Sequence, residues 1–155
     1  MLSRNPKHWL HLKRIVRFGD TDAAGVMHFH NLLRWAHEAW EESLECFGLE
    51  VSDTFPGYSA DAMNPKVSLP IAHCQAEYKM PTRVGDQLLV VVAPKKIDSG
   101  SFQVETTFRL QNDCVAVGNI LHVAINSQTR QRCLLPEHIE LWLEASSINS
   151  GVQPL

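Results

Sequence analysis

The chain has 155 residues, a mass of 17.5 kDa and a net charge of −3, with 45% hydrophobic and 20% charged residues. This length and balance indicate one globular domain, which we place at residues 1–145. The mild acidity argues against a nucleic-acid partner, because a phosphate backbone is bound by a net basic surface. The longest apolar run, Leu88 to Ala93, is far below the roughly 20 residues of a membrane span, so no membrane partner is expected.

The cysteines and the C-terminal residues lead to two further expectations. No two cysteines are close enough for a CxxC metal or redox pair, which favours reduced thiols in a cytoplasmic protein. They are Cys46, Cys74, Cys114 and Cys133. Residues 146–155 are small and polar and are predicted to form a flexible C-terminal tail.

The first half of the chain predicts a strand followed by one long helix. Residues 11–18 alternate as a strand does. Residues 30–47 carry apolar side chains at spacings of three and four, on more than one stripe, which predicts a helix buried on most of its circumference. Gly48 is expected to end this helix. The defining helical positions are Leu33, Ala36, Trp40, Leu44 and Phe47.

The second half alternates with a period of two and predicts an antiparallel meander of four strands. The first begins at Val67 and changes parity after Ile71, and the others cover residues 87–93, 101–111 and 114–126. The last strand places one apolar set on a single face: Val115, Val117, Leu121, Val123 and Ile125. Pro136 opens a short C-terminal helix. The order predicts an α+β fold in which a curved sheet wraps one apolar helix, with exposed edges that favour association.

The segment Asp20-Thr21-Asp22-Ala23-Ala24-Gly25 begins like a calcium loop, D-x-D-x-x-G. Ala24 at position five and Asn31 at position twelve lack the oxygen ligands that such a loop requires, so calcium is not expected.

Histidines and nucleophiles nearby match no established site pattern. His28, His30 and His37 do not have the spacing of three convergent metal ligands, and His37-Glu38-Ala39-Trp40-Glu41 misses HExxH at its last residue. Gly57-Tyr58-Ser59-Ala60-Asp61 lacks the second glycine of G-x-S-x-G. We therefore expect no metal and no serine nucleophile.

A carboxylate directly before a buried helix has two interpretations. The unpaired N–H groups at a helix start can polarise an ester or thioester carbonyl, while Asp22 attacks that carbonyl or activates water. Alternatively, Asp20 and Asp22 only hold the turn together through side-chain-to-backbone bonds. The spacing of the residues does not decide between them.

Residues 18–29, Phe-Gly-Asp-Thr-Asp-Ala-Ala-Gly-Val-Met-His-Phe, resemble the signature of hot-dog fold acyl-CoA thioesterases of the 4-hydroxybenzoyl-CoA thioesterase type. The resemblance covers about residues 11–143 and includes these further positions: Asn31, Trp35 to Glu41, Leu69-Pro70-Ile71, Tyr78, Pro81, Gly85-Asp86 and Leu88. It implies an α+β hot-dog fold, with an antiparallel sheet wrapped around one central helix. It also implies a homotetramer built from dimers whose active sites lie at the dimer interface.

The resemblance also implies roles for individual residues. Asp22 matches the catalytic carboxylate, as nucleophile or general base, and the backbone N–H of Phe29 matches the donor that polarises the carbonyl. Gly25 would allow the sharp turn between them. His28 stands where relatives often carry an aromatic residue, so it would line the acyl pocket or bond a hydroxyl of the acyl group.

Further positions are expected to reach the substrate from elsewhere. Leu69 and His73 resemble strand positions that face the neighbouring subunit's site. The CoA phosphates need local positive charge, for which the two best clusters are Lys95-Lys96 and the arginines Arg130 and Arg132. The alternative is that these are solvated charges at strand ends.

The expected activity is hydrolysis of an aromatic acyl-CoA, with CoA as part of the substrate and no cofactor. The segments HEAWE and LPIAHCQAEY to VGDQLLV are most similar to cyanobacterial members that act on 1,4-dihydroxy-2-naphthoyl-CoA in phylloquinone biosynthesis. The alternatives are a thioesterase for short or medium aliphatic acyl-CoA or acyl carrier protein, and a non-catalytic acyl-CoA binding module.

Overall fold

A computed structural model describes residues 4–58, 60 and 65–147. The elements in chain order are α1 (Lys7–Leu10), β1 (His11–Ile15), α2 (Asn31–Phe47), β2 (Val67–Ser68), β3 (Ile71–Tyr78), β4 (Gln87–Asp98), β5 (Ser101–Leu110), β6 (Asp113–Val123), β7 (Ile125–Asn126) and α3 (Glu137–Ser147). Short 3-10 turns cover Phe18–Asp20 and Val51–Asp53. No helix in the described part of the chain is long and apolar enough to cross a membrane.

The main sheet has the order β1-β4-β5-β6-β3, with every neighbouring pair antiparallel, and β2 pairs with β7 separately. The α+β prediction is confirmed, but the four-strand meander is wrong. Only β4, β5 and β6 follow one another in space. The connection 79–86 crosses the end of the sheet, about 14 Å for three strand spacings, so that β3 pairs with β6. The alternation of apolar and polar residues along a strand does not indicate which other strand it pairs with.

The helix α2 packs along β6 and ends as predicted. Gly48 adopts a left-handed φ of 108°, and its N–H and that of Leu49 both donate to the Leu44 carbonyl. The closest approach to the sheet is at Gly118, where an added Cβ would lie 3.4 Å from the Ala36 Cβ. The buried residues of α2 are Asn31, Leu32, Trp35, Ala36, Ala39, Trp40, Ser43 and Leu44.

The apolar set predicted on one face of β6 is divided, with Val115 buried in the core and Val117, Leu121 and Val123 half-buried. Gly118, Ile120 and His122 face α2 and are buried, so Val117 and Leu121 lie half-buried on the outer face. Because Gly118 has no side chain, Ala36 of the helix can come close to this face of the strand. The outer face of β6 is therefore partly apolar, with Val117 and Leu121 on either side of Asn119, whose side chain accepts a hydrogen bond from Gln103.

Three element boundaries differ from the prediction. The first strand ends at Ile15, and β4 continues to Asp98 through Pro94. Proline is tolerated there because β1 begins at His11, opposite Val91, so that edge of β4 has no ladder partner among the described residues beyond Val91. The C-terminal helix extends to Ser147, two residues past the predicted domain end, and residues 148–155 lie outside the described part.

The strand β3 is an exposed edge of the sheet. Ile71 and Tyr78 are each 47% exposed, and a register shift between Ile71 and His73 confirms the predicted change of parity. One edge of β3 pairs with β6, and its other edge has no strand partner among residues 4–58, 60 and 65–147. An edge of this length exposes unpaired backbone groups that another chain can pair with.

His122 is a fully buried titratable group in the core. Its Nδ1 lies 3.1 Å from the Leu69 carbonyl, and its ring stacks on Phe102 and packs against Trp40. Its Nε2 has no partner within the described residues, so a proton added there would be buried without an acceptor. Burial lowers the pKa of His122 to about 4.

The buried His122 predicts a loss of stability in acid. Because its pKa is about 4 in the folded chain and about 6.5 when unfolded, the unfolded state binds the proton first as pH falls through this window. The free energy of unfolding should fall by about 2 kcal/mol between pH 7.5 and pH 5 from this residue alone. Urea unfolding of the native chain and of His122→Leu measures it.

Other groups also titrate in this range, so the difference between the two proteins is the relevant quantity. His122→Leu should show the shallower pH dependence, whereas His8→Gln, at an exposed position, should follow the native chain. Parallel pH curves for the native chain and His122→Leu would contradict the assignment.

Candidate active site

The loop between β1 and α2 is fastened to the rest of the fold by backbone hydrogen bonds. Val16 N–H donates to the Asp86 carbonyl and Met27 N–H to the Thr82 carbonyl, each at 3.0 Å. Within the loop, Thr21 and Met27 form an antiparallel bridge. The loop is therefore a hairpin-like excursion whose two arms are held side by side in front of α2.

The two carboxylates of this loop have different roles. The Asp20 carboxylate accepts from the Arg17 N–H at 2.8 Å and closes a capping box over the turn. Its backbone carbonyl accepts from the His28 N–H and from the buried Asn31 side chain, both at 2.7 Å. Asp20 thus fits the turn-holding interpretation and connects the loop to the first residue of the helix.

Asp22 lies at the tip of the loop and keeps one carboxylate oxygen unused. Its Oδ1 accepts from the Ala24 N–H at 2.8 Å, whereas its Oδ2 accepts no hydrogen bond from the described residues. The Gly25 N–H donates to the Asp22 carbonyl, and Gly25 has a φ of 77°, which most side chains avoid. The turn presents an exposed carboxylate on a fixed backbone, which suits a nucleophile or a general base.

Phe29 lies just before α2 and is predicted to supply the donor that polarises the carbonyl. Its N–H donates to no acceptor within the described residues, while the carbonyl before it accepts from Asn31 N–H at 3.0 Å. Its own carbonyl accepts from the Tyr78 hydroxyl. Hydrogen bonds hold the peptide groups before and after Phe29. Because α2 begins two residues later, the positive end of its helix dipole strengthens this N–H as a donor.

The histidines of the site form a pair rather than a metal centre. The His28 ring packs 4.6 Å from the Phe29 ring and contacts His30 through their Nδ1 atoms. His37 lies apart, with Glu41 at 3.3 Å. Among the described residues, no group of three or more His, Cys, Asp or Glu is placed to hold a metal ion. His28 therefore lies beside the Phe29 donor, where a substrate group would meet it.

The remaining predicted positions do not lie beside Asp22 in one chain. Leu69 and His73 lie at the opposite end of β3 from Tyr78. Lys95 is about 26 Å along β4 from the end nearest the loop, at 3.3 Å per residue. Lys96 forms an ion pair with Glu140 at 2.8 Å.

The two arginines also lie at the far end of the sheet. Arg130 is exposed in the turn after β7, with its N–H bonded to the Asn126 carbonyl at 2.8 Å. Arg132 lies 3.8 Å from an Asp98 oxygen. If any of these distant residues act at the site, they reach it from a second subunit.

Two cavities differ in their relation to the loop. A small one of about 260 Å³ lies directly against it, lined by Val26, Met27 and residues 78–82. A larger groove of about 1120 Å³ runs between α1, α3 and the second half of β4, where Lys95 and Lys96 line it. The small cavity is the one that residues of the loop between β1 and α2 line.

Ser59 and Asp61 of the rejected serine motif lie outside the described residues.

The chain matches the family model of the thioesterase-like superfamily over residues 16–143. The chain belongs to this superfamily. A relative from Prochlorococcus marinus strain MIT 9313, named 1,4-dihydroxy-2-naphthoyl-CoA hydrolase, is 54% identical over 144 residues, 93% of this chain and 95% of the relative.

Solved structures agree with this assignment. A crystal structure of a proposed thioesterase from the same strain has 55% identity and a TM-score of 0.89, covering 92% of this chain and 99% of that one. A 1,4-dihydroxy-2-naphthoyl-CoA thioesterase from Synechocystis has 25% identity and a TM-score of 0.73, covering 86% and 94%. The hot-dog fold is thus confirmed for this thioesterase-like chain.

Two residues matter to this site in ways that the sequence reasoning did not assign. In the sequence, Asn31 and Tyr78 stood out only as positions that match the family. In the structure, the Asn31 side chain donates to the Asp20 carbonyl and the Tyr78 hydroxyl donates to the Phe29 carbonyl, so both hold the backbone around the start of α2. For Asn31, the signal available in the sequence was a polar residue at the start of a largely apolar helix. Tyr78 gave no local signal, because its partner lies 49 residues away in the chain.

The left-handed backbone of Gly25 predicts a specific cost of substitution. Gly25→Val should lower the free energy of unfolding by about 1–2 kcal/mol, because a β-branched residue is strained at positive φ. The surroundings leave room for a Cβ at both Gly25 and Gly19, but only Gly25 has positive φ. Gly19→Val is therefore the matched control and should change stability by less than about 0.5 kcal/mol. Urea unfolding compares them, and equal effects would contradict the interpretation.

Proposed function

We propose that this chain hydrolyses 1,4-dihydroxy-2-naphthoyl-CoA to 1,4-dihydroxy-2-naphthoate and free CoA. The observation that carries the proposal is the exposed Asp22 carboxylate on a fixed turn, in the same loop as the Phe29 N–H, which has no acceptor among the described residues. Relatives such as the 54% identical Prochlorococcus protein, named for this reaction, support the choice of acyl group.

The chemistry follows from where charge develops. When a nucleophile attacks the thioester carbonyl, negative charge accumulates on its oxygen, and the Phe29 N–H at the start of α2 stabilises that charge. In one route, Asp22 attacks the carbonyl carbon, CoA leaves as the thiolate, and water then hydrolyses the mixed anhydride. In the other, Asp22 takes a proton from the water that attacks. Both routes use the same carboxylate.

The acyl group and the CoA group use different parts of the protein. The His28 and Phe29 rings lie beside the donor and supply a flat surface with ring nitrogens for an aromatic acid that carries hydroxyls. For the CoA phosphates, the exposed Lys95 and Arg130 have no ion-pair partner within the part of the chain that the structure describes, whereas Lys96 and Arg132 lie close to carboxylates. No metal or cofactor takes part in either route.

A homotetramer is part of the proposal because two surfaces of one chain need covering. Antiparallel pairing of two β3 edges about a two-fold axis would bring Leu69 and His73 of the partner subunit toward the Tyr78 end, and so toward Asp22. The apolar outer face around Val117 and Leu121 then provides the contact between dimers.

The cellular setting is proposed on the same basis. Four free thiols fit a reducing cytoplasm. The product, 1,4-dihydroxy-2-naphthoate, would serve phylloquinone biosynthesis, and neither a membrane nor a nucleic acid is needed as a partner.

The exposed Asp22 carboxylate predicts a large loss of turnover on neutralisation. Asp22→Asn should lower kcat by at least about 100-fold, as loss of a nucleophile or general base does. Asp20→Asn is the control, since its carboxylate bonds the turn, and it should lose less than about tenfold. Release of free CoA thiol is measured with aromatic and aliphatic acyl-CoA thioesters.

The panel of substrates decides the acyl group. The naphthoyl thioester should have the highest kcat/KM, and an aliphatic thioester in first place would shift the assignment to a general acyl-CoA thioesterase. Near-native kcat in Asp22→Asn would contradict the proposed catalytic role of Asp22. Binding without any hydrolysis by the native chain would indicate an acyl-CoA binding module.

The outer face predicts how the assembly responds to substitution. Light scattering should give a mass four times the 17.5 kDa of one chain. Leu121→Glu should reduce it to two chains, because a charge is placed on the half-buried outer face. Leu141→Glu changes an exposed leucine of α3 and should leave the mass unchanged. A monomeric native chain, or a tetrameric Leu121→Glu, would refute the proposed assembly.

A further inference from the structure

We infer that Tyr78 is a positioning residue for hydrolysis: its hydroxyl holds the Phe29 carbonyl and thereby fixes the backbone whose N–H polarises the thioester. The inference rests on the proposed function and adds a residue with no assigned role. It follows from a side-chain hydrogen bond that joins the edge strand β3 to the residues directly before α2.

The position of Tyr78 is itself well determined. It is the last residue of β3, opposite the buried Ala116 of β6. Directly after it, the N–H groups of Lys79 and Met80 both donate to the carbonyl of buried Val115, at 2.9 and 3.1 Å. The end of the strand is therefore anchored to the core, and the tyrosine ring projects from a fixed point.

The hydroxyl reaches across to the loop at the place where other fixation is weak. Before Phe29, the His28 carbonyl is held by the Asn31 N–H at 3.0 Å. After Phe29, the His30 N–H lies 3.4 Å from the His28 Nδ1, which is a long hydrogen bond. The Tyr78 hydroxyl on the Phe29 carbonyl is the contact that holds this second peptide, so it limits rotation about Phe29.

The chemistry of the side chain suits this role. A phenol donates one hydrogen bond, and burial raises the pKa of Tyr78, so the donor stays protonated at the pH where a carboxylate works. The ring also forms one wall of the small cavity that Val26 and Met27 line. Phenylalanine at this position would keep that wall and remove only the hydroxyl.

The hydroxyl acts through the Phe29 backbone, so its effect should be smaller than loss of the donor itself. Removing one such donor commonly lowers kcat by about 10²–10³-fold. We expect Tyr78→Phe to lower kcat about tenfold with KM changed less than about threefold, because misplacement of the donor weakens transition-state binding more than ground-state binding.

The kinetic experiment uses the chain's second tyrosine as control. Tyr58 is exposed in another loop, and Tyr58→Phe should retain native kcat and KM. The pH profile of kcat for Tyr78→Phe should keep the native shape, since a positioning residue does not exchange protons with the substrate. Three results would each overturn the inference: native kcat in Tyr78→Phe, an equal loss of kcat in Tyr58→Phe, or a changed shape of the kcat pH profile in Tyr78→Phe.

A second measurement tests the hydrogen bond without using activity. The native chain has six phenylalanines, and in protein labelled with ¹³C at the phenylalanine carbonyl carbons Tyr78→Phe adds a seventh resonance. The substitution should shift the Phe29 resonance upfield and leave the other five native resonances unchanged. An unmoved Phe29 resonance would refute the contact itself. If the native chain hydrolyses no acyl-CoA, the proposed function is refuted, and the catalytic role of Tyr78 with it. The Phe29 resonance would still show in that case whether the hydrogen bond itself exists.

Discussion

The packing of α2 against β6 is the constraint on which the rest of the structure depends. At Gly118 the sheet has no side chain, and Ala36 of the helix fills that space. Further along, Trp40 packs on His122, so the helix runs parallel to the strand. This contact places the start of α2 at the end of the sheet where β3 finishes and where the connection to β4 begins. The loop before the helix is thereby brought against both.

The chemistry of the site depends on which polar groups that loop leaves unused. Asp20 and Asn31 satisfy backbone and side-chain groups around the turn, so they are structural. Asp22 retains an exposed carboxylate oxygen, and the Phe29 N–H has no acceptor among the described residues. A free acceptor and a free donor on one hydrogen-bonded loop are the features that a reacting carbonyl can use.

One chain leaves surface that a second chain would complete. The unpaired edge of β3 and the apolar outer face around Leu121 are both open in the described structure. The proposed assembly covers both, and it explains why Leu69 and His73 resemble site positions although they lie far from Asp22 in their own chain. The Tyr78 contact would then connect the subunit edge to the catalytic backbone.

The sequence by itself determined the α+β class, the extent of α2 to its end at Gly48, and the Asp22 loop as the candidate site, because spacing, end signals and motif are local. Residue spacing could not separate Asp20 from Asp22, since their difference lies in hydrogen bonds to backbone groups, and only the resemblance to the family singled out Asp22. Only the tertiary structure decided the strand order and the face of β6 that meets the helix. It alone brought Tyr78 to Phe29, because that contact joins distant residues whose meeting depends on how helix and sheet pack.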